Sequence, residues 1–247
     1  NLILFNPIAG NHYATAHTMV AAYQMVMKDE TARSHRHTPN ALRLVVDARP
    51  GAYTIVEGRK IPMVPGDVLL TPNWCWHGHR NESDGSAYWI DFLDAPLVHL
   101  LGPMFFEHYQ GGIERTEELD ERSPMRFPFA EVRRRLYYGT DSQPGRRELR
   151  IGPPYLDTMT IFVSRLEAGG TFVAERATAN SIFAVIEGNG HSTVDDEEFD
   201  WRRGDVFVVP SWHRHVCRAV EGSTVLRVTD EPVMQKFNWL RLLAAVA

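Results

Sequence analysis

Short apolar runs punctuated by turn-forming clusters dominate the chain. Ala41-Leu42-Arg43-Leu44-Val45-Val46 and Ser181-Ile182-Phe183-Ala184-Val185-Ile186 are rich in β-branched residues and predict strands. Turn formers follow each, around Arg49-Pro50-Gly51 and Glu187-Gly188-Asn189-Gly190, and new strands are predicted at 53–56 and 192–194. Many short strands with regular turns indicate a sandwich or barrel of the jelly-roll kind. The pattern changes between residues 103 and 150. There Phe129-Ala130-Glu131-Val132-Arg133-Arg134-Arg135-Leu136 has the spacing of a helix, and the segment reads as a connector with one or two helices. Residues 236–247 are predicted to close the chain with another.

The pattern also repeats. Gly66-Asp67-Val68-Leu69-Leu70-Thr71-Pro72-Asn73-Trp74 returns 138 residues later as Gly204-Asp205-Val206-Phe207-Val208-Val209-Pro210-Ser211-Trp212. Arg36-His37-Thr38-Pro39-Asn40 has a degenerate echo in Arg176-Ala177-Thr178-Ala179-Asn180. This period is too long for a solenoid repeat and indicates a duplicated domain. The expected division is 1–102, a connector at 103–150, and 151–247, lengths sufficient for two separate cores.

Composition narrows the function. Lys and Arg number 26 against 31 Asp and Glu, and the resulting charge of −5 argues against a non-specific nucleic-acid binder or a membrane-surface protein. Two cysteines, Cys75 and Cys217, cannot build a disulfide framework and point to a reducing, cytoplasmic setting. No apolar run approaches the roughly 18 residues of a membrane span, and residues from Asn1 onward lack the layout of a signal peptide. The Asn1 start suggests processing or an absent upstream segment.

The candidate chemistry lies in histidines. Ser34-His35-Arg36-His37 sets two imidazoles at i and i+2, which share one face of a strand and can meet one metal ion. Trp76-His77-Gly78-His79 offers a third. Arg43, six residues beyond His37, faces the same interior if the strand is uninterrupted. Burying it requires an anion, and Asp91, a carboxylate within the apolar Trp89-Ile90-Asp91-Phe92, is the candidate partner. Asp91 could equally orient an imidazole.

Gly66, Pro72, Trp74, His77 and Asn81 match the second motif of the cupins, G-x5-P-x-[GW]-x2-H-x3-N, and His35-x-His37 matches the first. Many cupins place a Glu three to five residues after the second His; here Asn40, Ala41 and Leu42 stand there, so the site resembles three histidines without a carboxylate. Further residues carry the likeness: Gln24, Ser34 to Thr38, Ala41-Leu42-Arg43, Pro65-Gly66-Asp67, Thr71-Pro72-x-Trp74-x-Trp76-His77-x-His79 and Trp89-Ile90-Asp91-x-Leu93-Asp94. Together these are similar to the gentisate 1,2-dioxygenases, bicupin iron enzymes with salicylate- and 1-hydroxy-2-naphthoate-cleaving relatives.

The resemblance implies a mainly β bicupin of two double-stranded β-helix barrels, the first metal-binding. It implies that His35, His37 and His77 hold Fe(II), and that Gln24, Arg43, His79 and Asp91 line a pocket for an aromatic hydroxy acid cleaved with O2. Among these, His79, Arg43 and Asp91 are the candidate catalytic residues. From gentisate the product would be maleylpyruvate. A homotetramer is implied as well, as is an N-terminal extension whose arginines complete the pocket. A non-catalytic, ligand-binding bicupin is the competing expectation. In the second copy Glu175, Ala177 and His215 replace His35, His37 and His77, Cys217 replaces His79 and Phe183 replaces Arg43, which reads as a lost site. His213 with His215 calls for a metal check. His12, His17, His99, His108 and His191 are read as lone histidines, Asp195-Asp196-Glu197-Glu198 as a solvated hairpin tip, and Cys75 as packing.

Overall fold

The structure, a computed structural model, describes residues 1–116, 118–139, 143–152, 155–174 and 176–243. The chain resolves into two compact units, Asn1–Phe129 and Ala130–Ala247. Among the described residues no helix is long and apolar enough to cross a membrane.

The first unit opens with β1 (Leu2–Leu4), β2 (Val20–Val26), β3 (Thr31–His37) and β4 (Ala41–Asp47). It continues through β5 (Ala52–Val56), β6 (Arg59–Pro62), β7 (Val68–Thr71), β8 (His77–Asn81) and β9 (Ala87–Leu93). Helix α1 (Ala95–Leu101) and strands β10 (Phe106–His108) and β11 (Arg126–Phe127) follow, and α2 (Phe129–Tyr137) begins at its end. One sheet runs β1-β2-β9-β4-β7-β11 and the other β10-β3-β8-β5-β6, with antiparallel pairing throughout. Val45, Ile61, Met63, Leu69 and Trp89, all nearly inaccessible, belong to its apolar core.

The second unit repeats this plan. Its strands are β12 (Arg146–Ile151), β13 (Thr160–Leu166), β14 (Thr171–Ala174), β15 (Arg176–Ala177), β16 (Ser181–Glu187) and β17 (Asn189–Val194). They are followed by β18 (Glu197–Arg202), β19 (Val206–Val209), β20 (His215–Ala219), β21 (Ser223–Thr229), α3 (Glu231–Lys236) and β22 (Leu242–Leu243). The sheets are β12-β13-β21-β16-β19 and β14-β20-β17-β18, with β15 and β22 forming a short pair. Two expectations change here. Asn189 and Gly190 belong to β17 rather than to the turn before it. Of the helix expected at 236–247, residues 244–247 lie outside the described residues, and in the described part the helix is α3, which ends at Lys236. Leu242 and Leu243 then turn back as a strand against Ala177 and Arg176, so their apolar pattern serves pairing.

The duplication is preserved in backbone detail. Asn40 Oδ1 accepts the Asn73 N–H at 2.8 Å while its amide donates to Asp94 at 3.1 Å. Asn180 does the same with Ser211 N–H at 3.0 Å and Asp230 at 2.8 Å. Trp74 and Trp212 both hold positive φ, 61° and 67°, a conformation that a bulky residue adopts only under tertiary constraint. In both copies that tryptophan's N–H bonds back to the strand carrying the first motif, at His37 O (3.0 Å) and Ala177 O (2.6 Å).

The Gly66-Asp67 turn ties the following segment to the barrel. Asp67 accepts from the Phe129 N–H at 2.8 Å and from Arg126 Nε at 2.7 Å. Gly66 has φ 87°, and a Cβ there would lie 2.7 Å from the Phe129 ring. Gly66→Ala combines a disfavoured backbone with overpacking and is expected to cost about 1–3 kcal/mol. The urea midpoint of folding measures it; an unchanged midpoint would show that Phe129 moves aside freely.

Candidate metal centre

One extra residue in β3 builds the site. Ala32 pairs with His79 and His35 with His77, so β3 takes three steps where β8 takes two. This bulge shifts side-chain parity by one and turns His35 toward His77. The His35 and His77 ring centroids are 4.3 Å apart, those of His37 and His77 4.8 Å, and those of His35 and His37 5.6 Å. One nitrogen from each of the three rings lies within 4.8 Å of the others, and no other such grouping of His, Cys, Asp or Glu occurs among the described residues.

The ring orientations suit a metal. His35 Nδ1 lies 3.0 Å from Arg33 O, His37 Nδ1 2.8 Å from Pro39 O and His77 Nδ1 3.0 Å from Cys75 O. A backbone carbonyl can only accept, so each Nδ1 carries the proton and each Nε2 keeps its lone pair for an ion. Burial lowers all three pKa values, His37 to about 4 and His77 well below the ordinary histidine range. Arg43 and the neighbouring imidazoles add to the depression of His77. The rings are therefore neutral at pH 7, as ligands must be.

Beside the triad lies a connected polar chain. Arg43 is 2% exposed; its Nε donates to Asp91 Oδ1 at 3.2 Å and its Nη1 to Thr54 Oγ1 at 2.6 Å. Thr54 donates in turn to the Gly78 carbonyl at 3.2 Å, and Gln24 Nε2 donates to the other Asp91 oxygen. Asp91 thus meets Arg43 and Gln24, while the triad imidazoles take their orientation from backbone carbonyls. Burial raises the Asp91 pKa and Arg43 offsets it. His79 is fully buried, its ring 4.7 Å from Trp89; burial first and Arg43 second push its pKa far down. Its Nδ1 has no hydrogen-bond partner. Arg43 does not face inward through parity with His37, because residues 38–40 break the strand and β3 and β4 lie in different sheets. Arg43 reaches Asp91 because the two are directly paired across β4 and β9.

Three neighbours escaped the sequence reading. Thr54 sits opposite His79 on β5. Phe106 and His108 on β10 pair with His37 and His35, and the Phe106 ring stacks on His35 at 5.1 Å. His108 therefore packs against Phe106 at 4.8 Å and is not a lone histidine. On the opposite face Arg36 lies 4.6 Å and 4.4 Å from the Trp74 and Trp76 rings and donates to Glu107 at 2.6 Å, fastening β10 to β3.

In the second unit His215 is wholly buried and its Nε2 meets Ser192 Oγ at 3.1 Å. His213 points elsewhere, 3.8 Å from Asp195, and Glu175 lies outside the described residues. Asp195 forms the hairpin tip with φ 51° and accepts from the Arg214 N–H, so it is tied down rather than merely solvated. Cys75 packs against the first core, as expected.

A Cupin domain family model matches residues 22–93 and 162–230. The chain is 34% identical to a 1-hydroxy-2-naphthoate 1,2-dioxygenase of Nocardioides sp. (strain KP7), over 92% of this chain and 67% of that protein. It is 30% identical to gentisate 1,2 dioxygenase 1 of Aquipseudomonas alcaligenes, over 97% and 78%. The crystal structure of a salicylate 1,2-dioxygenase from Pseudaminobacter salicylatoxidans superposes with a TM-score of 0.91 at 29% identity, covering 98% of this chain and 79% of that one.

The buried imidazoles give a pH signature to the metal-free protein. His37 and His215 hold folded pKa values of about 4 against roughly 6.5 when unfolded, so the unfolded state binds more protons between those limits. Their stability contribution is present above about pH 6.5 and is lost as pH falls toward 4. Urea midpoints across this window should decline, and His215→Gln should flatten the decline. A slope unaffected by that substitution would show that His215 is not held neutral by burial.

Proposed function

Because the chain belongs to the bicupin family of ring-cleaving 1,2-dioxygenases of hydroxyaromatic acids, we propose that it cleaves a hydroxybenzoate with O2 at an Fe(II) centre, gentisate being the substrate and maleylpyruvate the product. The observation that supports this most is the triad, His35, His37 and His77, with one ring nitrogen of each within 4.8 Å of the others and no carboxylate among the donors. Imidazole donors suit non-haem iron, and three neutral ligands leave the ion's charge available to an anionic, chelating substrate. Bound there, Fe(II) would bring substrate and O2 together and carry electrons from the ring to O2.

The chain's own groups supply the rest. Arg43 uses Nε and Nη1 internally, which leaves Nη2 to donate to the substrate carboxylate. Asp91 and Gln24 fix the guanidinium plane, and Gln24 extends the polar wall of the pocket. His79, held neutral by burial, keeps one ring N–H with which to donate to the reacting acid. A homotetramer is part of this reading, and the exposed Leu100, Leu101 and Phe105 offer apolar area for contacts between copies. The 1-hydroxy-2-naphthoate relative favours a bicyclic acid as the second reading, and salicylate is the third.

Oxygen-electrode assays of the iron-loaded protein with gentisate, salicylate and 1-hydroxy-2-naphthoate test the proposal. Uptake is expected with gentisate first. No uptake with any of the three, alongside measurable ligand binding, would make the protein a non-catalytic bicupin.

His35→Ala should remove bound iron and turnover together, and a variant that kept its iron would overturn the ligand assignment. Arg43→Met should keep iron and lower kcat/KM by roughly 10- to 100-fold, as expected for loss of a charge-assisted hydrogen bond. Unchanged kcat/KM in that variant would remove Arg43 from the substrate site.

A further inference from the structure

The strip of sheet that carries the triad has a second face, and side chains gather there as well. Side chains alternate along a strand, so with His35 and His37 turned inward Arg36 stands on the outer face. The same holds on β10, where Phe106 and His108 pair with His37 and His35 while Glu107 pairs with Arg36. Trp74 and Trp76 reach this face from the turn that leads to His77.

Arg36 is the centre of the cluster. Its guanidinium carbon lies 4.6 Å from the Trp74 ring centroid and 4.4 Å from that of Trp76. Its Nε and Nη2 both donate to Glu107 Oε2, at 2.8 and 2.6 Å. The Trp76 ring meets Tyr109 edge-on at 5.3 Å, and the Tyr109 N–H donates to the Ser34 carbonyl at 2.9 Å. One cation thus joins β3 between two of the triad histidines, the turn leading to the third, and β10. Arg36 and Glu107 are 27% and 50% exposed, and an ion pair this open adds little to folding by itself. What it does add is orientation, because a planar guanidinium held by two rings and a carboxylate has little freedom to turn.

The second unit, which holds no metal triad among its described residues, lacks this arrangement. Arg176 is the counterpart of Arg36, because its neighbour Ala177 accepts the Trp212 N–H as His37 accepts that of Trp74. Leu243 pairs with Arg176 where Glu107 pairs with Arg36, and Arg214 precedes His215 where Trp76 precedes His77. Arg176 donates instead to the Trp212 carbonyl at 2.7 Å and pairs with Asp195 at 3.1 Å. The arginine is therefore common to both units, while the glutamate and the second tryptophan around it accompany the triad.

We propose that Arg36, stacked between Trp74 and Trp76 and locked by Glu107, is the positioning residue of the metal centre. From the face opposite the imidazoles it holds β3, the turn before His77 and β10 in fixed relation, and so slows escape of the bound ion. This rests on the reading of His35, His37 and His77 as metal ligands. Groups that fix ligands from behind govern metal affinity without touching the ion.

Cobalt(II), an imidazole-binding ion with a visible spectrum, is the probe. The chain is loaded with cobalt(II), chased with excess EDTA, and followed by the loss of visible absorbance. Release should be about 10- to 100-fold faster in Arg36→Met, with a shifted visible band. Glu107→Gln should also speed release. Arg36→Lys, which keeps a cation beside the rings, should release more slowly than Arg36→Met, and equal rates in the two would overturn the part given to the charge. Arg134→Met, which removes the exposed pair with Glu131 on α2 (2.8 Å), should leave the rate unchanged. An unaltered rate and band in Arg36→Met overturn the proposal, as does equal acceleration by Arg134→Met. Where Arg36→Met does not fold, Glu107→Gln carries the test, and release at the unaltered rate overturns it. Cobalt that stays bound in His35→Ala overturns the metal reading and the proposal together. Cobalt lost from His35→Ala yet held undiminished by the Arg36 variants overturns the proposal alone.

Discussion

Between Ala32 and His35, strand β3 carries one residue more than its partner β8, and the geometry of the metal centre follows from that bulge. With side chains alternating every residue, an unbroken register would leave His35 and His77 on non-matching positions. The bulge restores the match, and it demands close approach. A Cβ on Gly78 would stand 2.6 Å from Ser34 Oγ and 3.0 Å from Ala32 O, so only glycine fits between His77 and His79. Ser34, wholly buried at the bulge, accepts the Glu114 N–H at 3.0 Å and thereby anchors the segment beyond β10. The three imidazoles are therefore held by backbone pairing and backbone carbonyls, which leaves no carboxylate needed to orient them.

A buried cation so close to three imidazoles has two effects. It needs compensation, which Asp91 provides from a directly paired position, and Asp91 in turn is made tolerable by Gln24 and Arg43 together. The same charge resists protonation of His77 and His79, adding to burial in keeping them neutral. Thr54 joins the guanidinium to the carbonyl of Gly78, so the group proposed to hold substrate and the strand that holds His77 move as one. Prearrangement of this kind lowers the cost of ordering charged groups when a ligand arrives.

The motifs, the duplication and the His35-x-His37 pair are legible in the sequence because each is local: i and i+2 histidines, a glycine turn, a repeated run; His77 is singled out only by its match to the second cupin motif. The helix at α2 was legible for the same reason. What was not legible depends on register between distant strands. Parity counted from His37 cannot place Arg43, because that strand ends at His37; Arg43 is inward because β4 pairs with β9. Thr54, Phe106 and His108 reach the site through pairings of β5 with β8 and β10 with β3 that no spacing announces. Leu242 and Leu243 looked helical because apolar residues near a terminus fit either period, and pairing with β15 decided between them.

The two barrels separate what maintains this fold from what gives it chemistry. Both copies keep the asparagine that joins the tryptophan turn to the aspartate before the following helix, and both keep the tryptophan at positive φ. These contacts lie outside the barrel interior and make no demand on it. Inside, the pair Arg43 and Asp91 has become Phe183 and Arg227, and the imidazole at position 215 bonds to Ser192 and no longer to a backbone carbonyl. The cation of the second barrel, Arg227, therefore stands on the strand where the first barrel carries its carboxylate, and Glu148 lies 3.8 Å from it.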